Sequence, residues 1–580
     1  MIRNNFFITL IAVVTGMITF QSCSVEPEYY SQVTPSTFFD TQDKVYQRMN
    51  RPFTHWAYEI AAYASLSDLT FLQECSTDEL VMPNRQGDWY DDGWYIAPYW
   101  HQFNANTPGI YDAWRGFSMG VAQTWSALED IDQLVDFQTL GFSDPTAARD
   151  AILMQLQTLV AFFYLQGLDH FGGVPLYISN RDDLKGRSTD KATFDFIEEL
   201  LTEAIPKLPK KEVGAAETGN INQAAAAVLL ARLYFNANVY IKQDKFSECA
   251  AICQKIINGD YGSYQLGSSY QDIFGFDNEN CKEIIWAIPS ENAKRQVSGC
   301  YQYSFHYNMG NYLDNLEQQA WNGYCLTPSL DISGKSYRYG SSNPSLKGSF
   351  RLGCPYSKYE DTDLRKQNYA YEGNKLYRGM FLAGKMVNPV TGKVCKADGS
   401  RDYPATDTIV YVDQIAEISP TKTYPNGRQE GVMHAEENSG VRLVKMSPIP
   451  NSTDKKLWYN PDIPVLRLTE VYYMLAECKL RGGNAAEAAT LINQVRSRYF
   501  TGGDTNSVTA TNLDKYRMLD EWLIEFLGEG RRRTDLIRWD AYVTEAWFDH
   551  PASNKPEYNR FPIPQEAIAS NNLIEQNPGY

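Results

Sequence analysis

Residues 468–499 read LTEVYYMLAECKLRGGNAAEAATLINQVRSRY, and the spacing of their apolar side chains decides the fold. Apolar residues recur at steps of three and four on both sides of Gly482-Gly483-Asn484, which indicates two helices with one buried face each. Glycine and asparagine tolerate positive φ and therefore end the first helix. Two helices joined by so short a turn form an antiparallel helical hairpin.

Small residues lie where the two predicted helices must approach closely. Ala476 and Ala488 are twelve residues apart, which is the spacing of small residues in a tetratricopeptide (TPR) repeat. Ala237 and Cys249 have the same separation in a second predicted hairpin upstream. The sequence therefore predicts two TPR-like units. An ordinary helix-bundle hairpin is the alternative for the unit at 468–499.

Apolar periodicity also predicts helices along the N-terminal half of the chain. They lie within 37–72, 108–135, 145–171, 193–208, 221–240 and 245–258. Residues 261–460 differ in character, because they are rich in Tyr, Gly, Asn and Pro. Stacked repeats cannot bury their faces across such a gap, so we expect a mainly α protein whose helical scaffold carries an irregular lobe at one side. The expected parts are 37–260, 261–460 and 461–580.

A run of arginines follows the predicted hairpin. Residues 529–539 read EGRRRTDLIRW, and such a basic run could bind phosphate. However, Glu525, Glu529 and Asp535 lie within one or two turns of the arginines at 531–533. We therefore predict that these arginines form a structural ion-pair network at the end of a helix.

The residues around this run resemble the C-terminal signature of the SusD/RagB family. The matching residues are Asp520-Glu521-Trp522, Glu525-Phe526, Glu529 to Arg533, Asp535-Leu536 and Trp539, followed by Phe561-Pro562-Ile563-Pro564 and Gln576 to Tyr580; the helix end at Leu168 to Pro175 is also similar. Family members are surface lipoproteins that bind glycans without cleaving them and pass oligosaccharides to a TonB-dependent outer-membrane transporter. The resemblance covers nearly the whole mature chain and implies four TPR-like helix pairs that cradle a loop-rich lobe.

The N-terminus has the features of an export signal. Arg3 precedes a short apolar stretch at 6–20, and Ser22-Cys23 follows it. We predict a signal peptide over 1–22, a diacylated Cys23 and an acidic tether over 23–36, although a signal peptide cut elsewhere is an alternative. The predicted location is the cell surface, anchored to the outer membrane by lipid rather than by a spanning segment.

Charge and cysteine content exclude several classes of protein. The formal net charge is −17, and so acidic a surface repels nucleic acid. The ten cysteines are scattered without zinc-ligand spacing, and residues 88–92 lack the ligand spacing of a calcium loop, so no metal or cofactor is predicted. Gly116 to Gly120 fits the GxSxG pattern of a nucleophilic serine, but it lies in a helical pattern where that chemistry does not work.

An acidic and aromatic loop carries the first candidate binding residues. Residues 85–95 read RQGDWYDDGWY. The indoles of Trp89 and Trp94 can stack on the apolar face of a sugar ring, and the carboxylates of Asp88 and Asp91 can accept hydrogen bonds from its hydroxyls. Two such acids could equally serve a secreted helical glycosidase that uses the 88–92 loop. The chemistry of these residues is compatible with both glycan binding and glycan cleavage. The family resemblance favours binding.

A second aromatic group lies in the predicted lobe. Tyr301, Tyr303 and Tyr307 precede Trp321 and Tyr324. The resemblance implies that binding aromatics come from the loop at 88–95 and from the segment around Trp321, which assigns Trp89, Trp94, Trp321, Tyr301, Tyr303 and Tyr324 to the glycan site. We expect the lobe to fold back over the N-terminal loop so that Trp89, Trp94 and Trp321 face one groove, and core packing is the alternative for each single aromatic. A pure protein-interaction scaffold would explain the helical hairpins but not these aromatics.

Overall fold

A computed structural model describes most of the mature chain. It covers residues 38–61, 69–212, 214–216, 218–290, 303–313, 320–339, 349–397, 406–419, 421–450, 457–458 and 460–580. The predicted signal peptide over 1–22, the lipidation site at Cys23, the tether over 23–36 and the candidate residue Tyr301 lie outside the described residues.

The helices of twelve or more residues lie in two parts of the chain, 42–257 and 468–526. They are α1 (Gln42–Ala61), α2 (Leu69–Cys75), α3 (Pro108–Leu134), α4 (Pro145–Phe171), α5 (Asp190–Ala204), α6 (Gln223–Phe235), α7 (Ala237–Ile241), α8 (Phe246–Ile257), α9 (Tyr270–Phe274), α10 (Met309–Tyr312), α11 (Pro355–Lys358), α12 (Leu468–Arg481), α13 (Ala485–Arg496), α14 (Lys515–Phe526), α15 (Arg532–Arg538) and α16 (Gln565–Ser570). Short 3-10 helices lie at Asp91–Gly93, Ile205–Lys207, Asn278–Asn280, Leu364–Lys366, Ser497–Tyr499 and Pro556–Asn559.

Eight of these helices form four antiparallel pairs. The pairs are α1 with α3, α4 with α5, α6 with α8, and α12 with α13, and each pair packs against the next along the series. Ala476 in α12, Ala488 in α13 and Cys249 in α8 are fully buried, and so is Ala237, which lies in α7 just after the end of α6. The predicted scaffold of about four TPR-like helix pairs is confirmed.

Local signals set the ends of the predicted helices. Pro145 begins α4 after Asp144, whose side chain accepts a hydrogen bond from the backbone N–H of Ala147. Gly172, at φ +79°, ends the same helix. The helix predicted over 221–240 is instead divided into α6 and α7 at Asn236, because the side chain of Asn236 bonds the carbonyl of Arg232 and the backbone leaves the helical region there.

Helix α4 lies at the centre of the scaffold. Within the described residues it is the one helix long and apolar enough to cross a membrane, with a mean hydropathy of 1.4 over its most apolar window. However, 89% of that window is buried inside the fold, between α3 and α5. It is therefore the central core helix of the scaffold.

The lobe between the helical parts consists of loops, short strands and the short helices α9 to α11, and two further strands, at 80–81 and 463–467, lie in the parts that flank it. The strands are β1 (Leu80–Val81), β2 (Ile284–Ile288), β3 (Cys325–Leu326), β4 (Arg338–Tyr339), β5 (Ser349–Phe350), β6 (Ala370–Gly373), β7 (Leu376–Arg378), β8 (Phe381–Leu382), β9 (Gly384–Lys385), β10 (Val410–Tyr411), β11 (Arg442–Leu443), β12 (Ile449–Pro450), β13 (Leu457–Trp458) and β14 (Ile463–Arg467). They pair two by two, and only β4 and β5 are parallel among the described pairs. This confirms an irregular lobe, while its limits at 261 and 460 stay predictions.

Two of the strand pairs tie the lobe to the scaffold. Strand β1 follows α2 directly and pairs with β3, so that Leu80 lies opposite Leu326 and Val81 opposite Cys325. Strand β14 leads into α12 and pairs with β2. The pairing of β1 with β3 brings the N-terminal loop at 85–95 next to the segment around Trp321.

The arginines at 531–533 are structural, as predicted. Arg532 makes a two-pronged ion pair with Asp78, at 2.7 and 2.8 Å, and both side chains are fully buried. Both neighbouring arginines are also paired: the half-buried Arg531 with Glu470 and Asp535, and the buried Arg533 with Asp169.

Two of the three predicted partners of this run are wrong. Glu525 pairs with Arg365, Arg467 and Arg498, and Glu529 pairs with Arg467 and Lys445. The reason is the backbone between α14 and α15, which turns at Gly528 and Gly530, both at positive φ. The turn separates the acids at the end of α14 from the arginines that begin α15. Asp535 is the correctly predicted partner.

One other sequence prediction, on the GxSxG match, is confirmed. Ser118 lies inside α3, and its hydroxyl donates to the carbonyl of Arg115 at 3.2 Å, so the GxSxG match is part of a helix. Cys249 and Cys253 are buried thiols one helical turn apart, with 3.9 Å between their sulfur atoms.

Candidate functional site

The loop at 85–95 begins with a tight turn that projects Trp89. The backbone N–H of Arg85 donates to the carbonyl of Asp88 at 2.9 Å, and the N–H of Asp88 donates back at 3.2 Å. Gly87 takes φ +107° at the tip of this turn. Trp89 itself has φ +63°, a left-handed conformation that costs a non-glycine residue about 1–3 kcal/mol and tends to occur at functional sites.

Contacts with the lobe hold Trp89 in this conformation. Its indole N–H donates to the backbone carbonyl of Trp321 at 3.0 Å. Its ring lies against Gly323, where an added Cβ would be 3.1 Å from Cε2 of Trp89 and 2.9 Å from the carbonyl oxygen of Tyr303. A residue larger than glycine at 323 would therefore displace the indole.

Three half-buried rings from distant parts of the chain meet here, and we call Trp89, Tyr303 and Trp321 the aromatic cluster. The ring centroids of Trp89 and Trp321 are 6.4 Å apart, those of Trp89 and Tyr303 5.6 Å, and those of Tyr303 and Trp321 4.7 Å. Tyr303 and Trp321 meet edge to face at 88°, an arrangement that aromatic pairs favour. Sequence elements 232 residues apart thus form one aromatic surface.

The other predicted aromatics lie around this cluster. Trp94 is half-buried and packs on Tyr95, with 4.4 Å between the ring centroids, and Tyr95 packs in turn on Trp89 at 5.3 Å. Tyr324 is only 7% exposed and lies between Tyr303 and Phe71. Trp94 therefore extends the surface of the cluster, whereas Tyr324 supports the cluster from beneath.

The predicted acidic residues lie at the edge of the aromatic cluster. Asp88 accepts a hydrogen bond from the hydroxyl of Tyr307 at 3.0 Å. Asp91 and Asp92 are exposed on the short 3-10 helix that precedes Trp94. Burial raises the pKa of Tyr95 to about 12, and the nearby charge of Asp91 adds to this rise, so the Tyr95 hydroxyl stays protonated. These groups offer hydrogen-bond acceptors beside the rings.

Sequence reasoning missed Arg85, Gly323 and Tyr95. Arg85 and Tyr95 are the first and last residues of the loop at 85–95, but an arginine and a tyrosine in a loop have many possible roles. Gly323 lies in the sequence Trp-Asn-Gly-Tyr, where glycine ordinarily indicates a turn. Its contact with Trp89 depends on a segment far away in the chain, so no local signal could have revealed it.

Comparison with known proteins identifies the family. A model of the SusD family matches residues 282–580, which is more than half of the chain. The chain therefore belongs to the SusD family, and the predicted resemblance is confirmed.

Individual relatives agree with this assignment. The starch-binding protein SusD of Bacteroides thetaiotaomicron is 26% identical over 457 residues, which cover 76% of this chain and 75% of that protein. A SusD superfamily protein from Parabacteroides distasonis has a similar structure, with a TM-score of 0.64 at 15% identity over 95% of this chain and 100% of its own. Surface glycan-binding protein A of B. thetaiotaomicron, solved in complex with laminarihexaose, has a TM-score of 0.61 at 18% identity over 93% of this chain and 99% of its own. The two structures share the fold of this chain.

Proposed function

We propose that this protein binds an oligosaccharide or polysaccharide on the aromatic cluster and does not cleave it. The observation that carries the proposal is the meeting of Trp89, Tyr303 and Trp321 as half-buried rings of one surface. The names of two relatives, a starch-binding protein and a protein solved with laminarihexaose, support a glycan as the ligand class.

The chemistry of the cluster suits a sugar. Each indole offers an apolar face on which the C–H face of a sugar ring can stack. Asp88 and Asp91 stand beside the rings and can accept hydrogen bonds from sugar hydroxyls, which are stronger when the acceptor is charged. Because each stack is individually weak, several rings on one surface are needed for useful affinity. Trp94 belongs to the proposed site as well, and Tyr301 stays a member predicted from the sequence alone.

The cellular role that we propose is capture at the cell surface. A diacylated Cys23 would anchor the protein to the outer membrane, with the tether over 23–36 between lipid and scaffold. From there the protein would deliver its glycan to a TonB-dependent transporter, its proposed partner. Family membership supports this role, because the resemblance implies both the anchor and the transporter.

Removing one ring of the cluster is expected to weaken glycan binding strongly. A stack on a planar ligand contributes about 1–3 kcal/mol, so Trp89→Ala or Trp321→Ala should lose about ten- to hundred-fold in affinity. Once a glycan array has named the ligand, calorimetry on each folded variant measures the loss. The matched control is Trp100→Ala, since Trp100 is also half-buried and also donates its indole N–H to a carbonyl, that of Asp549 at 3.0 Å. Equal affinity in both cluster variants and the parent would place the site elsewhere.

The glycosidase alternative is tested on the same ligand. Asp91 and Asp92 are exposed rather than enclosed in a cleft. A sensitive assay for reducing ends should therefore show no sustained turnover. Turnover that Asp91→Asn abolishes would overturn the proposal of binding without cleavage.

The anchor is tested at Cys23. Cys23→Ala should release soluble protein or leave an unprocessed precursor, because the acylated thiol would be gone. Cell fractionation with a salt wash and an immunoblot measures the distribution. Ser24→Ala, a change at the adjacent position that keeps the thiol, serves as the control and should remain in the outer membrane. A Cys23→Ala protein that still fractionates with the outer membrane would refute the anchor.

A further inference from the structure

Two segments of the proposed glycan surface, the loop at 85–95 and the segment at 321–324, meet a third segment at one buried arginine. Arg85 is 1% exposed and begins the turn that projects Trp89. Its guanidinium donates from Nε and Nη2 to the carbonyl of Gly323, at 3.2 and 2.9 Å. Its Nη1 donates to the carbonyls of Glu436 and Ser439, at 2.7 and 3.0 Å. One side chain therefore joins the loop at 85–95, the segment at 321–324 and the segment at 436–439.

The peptide groups of Gly323 are the centre of this arrangement. The N–H of Gly323 donates to the carbonyl of Tyr303 at 2.5 Å, while its own carbonyl accepts from Arg85. The ring of Trp89 packs on the same residue, and its indole N–H bonds the carbonyl of Trp321. Each ring of the aromatic cluster thus belongs to a residue that contacts Gly323 or lies two positions from it. The bond from Arg85 to the carbonyl of Gly323 therefore lies next to the residues that carry all three rings.

A second buried arginine reinforces the same junction. Arg442 donates from Nη2 to the side-chain oxygen of Asn322 at 2.7 Å, and from Nη1 to the carbonyl of Ser439 at 2.7 Å. The side-chain amide of Asn322 donates to the carbonyl of Glu437 at 2.8 Å. Burial lowers the pKa of Arg85 to about 10, and the charge of Arg442 contributes to the lowering. Arg85 therefore still carries its charge at neutral pH, in spite of its burial.

We propose that Arg85 is a positioning residue of the glycan site: it fixes the geometry of the aromatic cluster from beneath without touching the ligand. A planar guanidinium carries five N–H donors in a fixed fork, so it holds carbonyls from several segments in one set geometry, whereas the lysine ammonium has three donors on a flexible stem. Holding the rings in place before the ligand arrives lowers the cost of ordering them on binding. This inference rests on the proposed function of the same surface.

The experiment compares Arg85→Met with the matched variant Arg187→Met. Arg187 also bonds three backbone carbonyls, those of Phe171, Gly173 and Glu575, but it lies in the scaffold. Affinity for the array-selected glycan is measured by calorimetry, and the geometry of the cluster by near-ultraviolet circular dichroism of its indole bands. Trp89→Phe shows which bands belong to Trp89. Arg85→Met should bind about ten-fold more weakly or worse and lose the Trp89 bands, whereas Arg187→Met should keep both.

Arg85→Lys and Gly323→Ala keep the inference falsifiable if Arg85→Met does not fold. Arg85→Lys retains the charge but not the fork, and Gly323→Ala displaces the Trp89 ring while Arg85 stays intact. Both should perturb the same indole bands and weaken binding. Parent-like affinity and parent-like bands in a folded Arg85 variant would overturn the positioning role. If the parent protein binds no glycan, the proposed function is wrong. The near-ultraviolet bands of the indoles would still show whether Arg85 fixes the geometry of the aromatic cluster.

Discussion

Replacing Arg532 by alanine should destabilise the protein by about 3–5 kcal/mol, which is the cost of leaving one buried charge of an ion pair without its partner. Asp78 is fully buried, and burial by itself would raise its pKa; the charge and hydrogen bonds of Arg532 outweigh burial and hold the pKa below its ordinary value. Without Arg532, the one hydrogen-bond donor left to that carboxylate among the described residues would be the backbone N–H of Gly353, at 2.7 Å.

The loss should be large because this pair joins three parts of the fold. Asp78 follows α2, Gly353 belongs to the lobe, and Arg532 begins α15 and also donates to the carbonyl of Leu519 in α14 at 2.6 Å. Denaturant unfolding followed by circular dichroism measures the change. Arg115→Ala is the control, because Arg115 is 53% exposed and lies 3.8 Å from Asp112, and a surface pair contributes at most about 1 kcal/mol. An Arg532→Ala protein of parental stability that no longer bound glycan would show that the basic run is a ligand site.

The helical scaffold was predictable because its signals are local. The predicted limits of α4 agree with the structure at both Pro145 and Phe171, where a proline begins the helix and Gly172 ends it. The small residues twelve apart, such as Ala476 and Ala488, predicted the close approach of paired helices without knowledge of the rest of the chain. Periodicity and terminators act within one or two turns, so a single sequence contains them.

The lobe and the ion pairs were less predictable because they depend on contacts between distant segments. The partner of Arg532 is Asp78, 454 residues earlier, whereas sequence proximity pointed to Glu525 and Glu529. Strands of two residues, such as β1 and β3, carry no periodic pattern, and long-range hydrogen bonds fix their pairing.

Some residues of the candidate site could be predicted from local sequence, whereas others depend on contacts between distant segments. The aromatics Trp89, Trp94 and Trp321 are visible in the sequence because large rings and acids in a glycine-rich loop are unusual. Arg85 and Gly323 acquire their roles only when the loop meets the lobe. The choice of binding over cleavage came from the family resemblance and not from the chemistry of the residues, since carboxylates beside indoles suit both.

Glu525 is expected to make the protein acid-sensitive through one buried carboxylate. Its Oε1 accepts from Arg467 at 2.8 Å, from Arg498 at 3.2 Å and from the hydroxyl of Tyr499 at 2.9 Å, and its Oε2 accepts from Arg365 at 3.0 Å. Burial raises its pKa, but the charges of Arg467, Arg498 and Arg365 outweigh burial and bring the pKa from 4.5 down to about 2.

A carboxylate whose pKa is lower in the folded than in the unfolded protein stabilises the fold when it is ionised. The contribution of Glu525 is therefore complete above about pH 4.5 and is lost as the pH falls from there towards 2. A shift of this size corresponds to about 3 kcal/mol. Glu525→Gln keeps the shape of the side chain but removes its charge, so at pH 7 it should cost about 3–5 kcal/mol.

The difference in the free energy of unfolding between Glu525→Gln and the parent should then narrow as the pH falls, because Glu525 takes up a proton in the unfolded parent before it does so in the folded one. Urea unfolding of both proteins at pH 7, 5.5 and 3 measures this difference, which should be equal at the first two pH values and smaller at the third. Glu203→Gln is the control, since Glu203 is 52% exposed and pairs with Lys207 on the surface at 2.8 Å, and should change the stability by less than about 1 kcal/mol. A gap that stays constant down to pH 3 would mean that Glu525 is not the charged centre of this cluster, and that the three arginines are held by their other acidic neighbours, such as Asp363, Glu283 and Glu529.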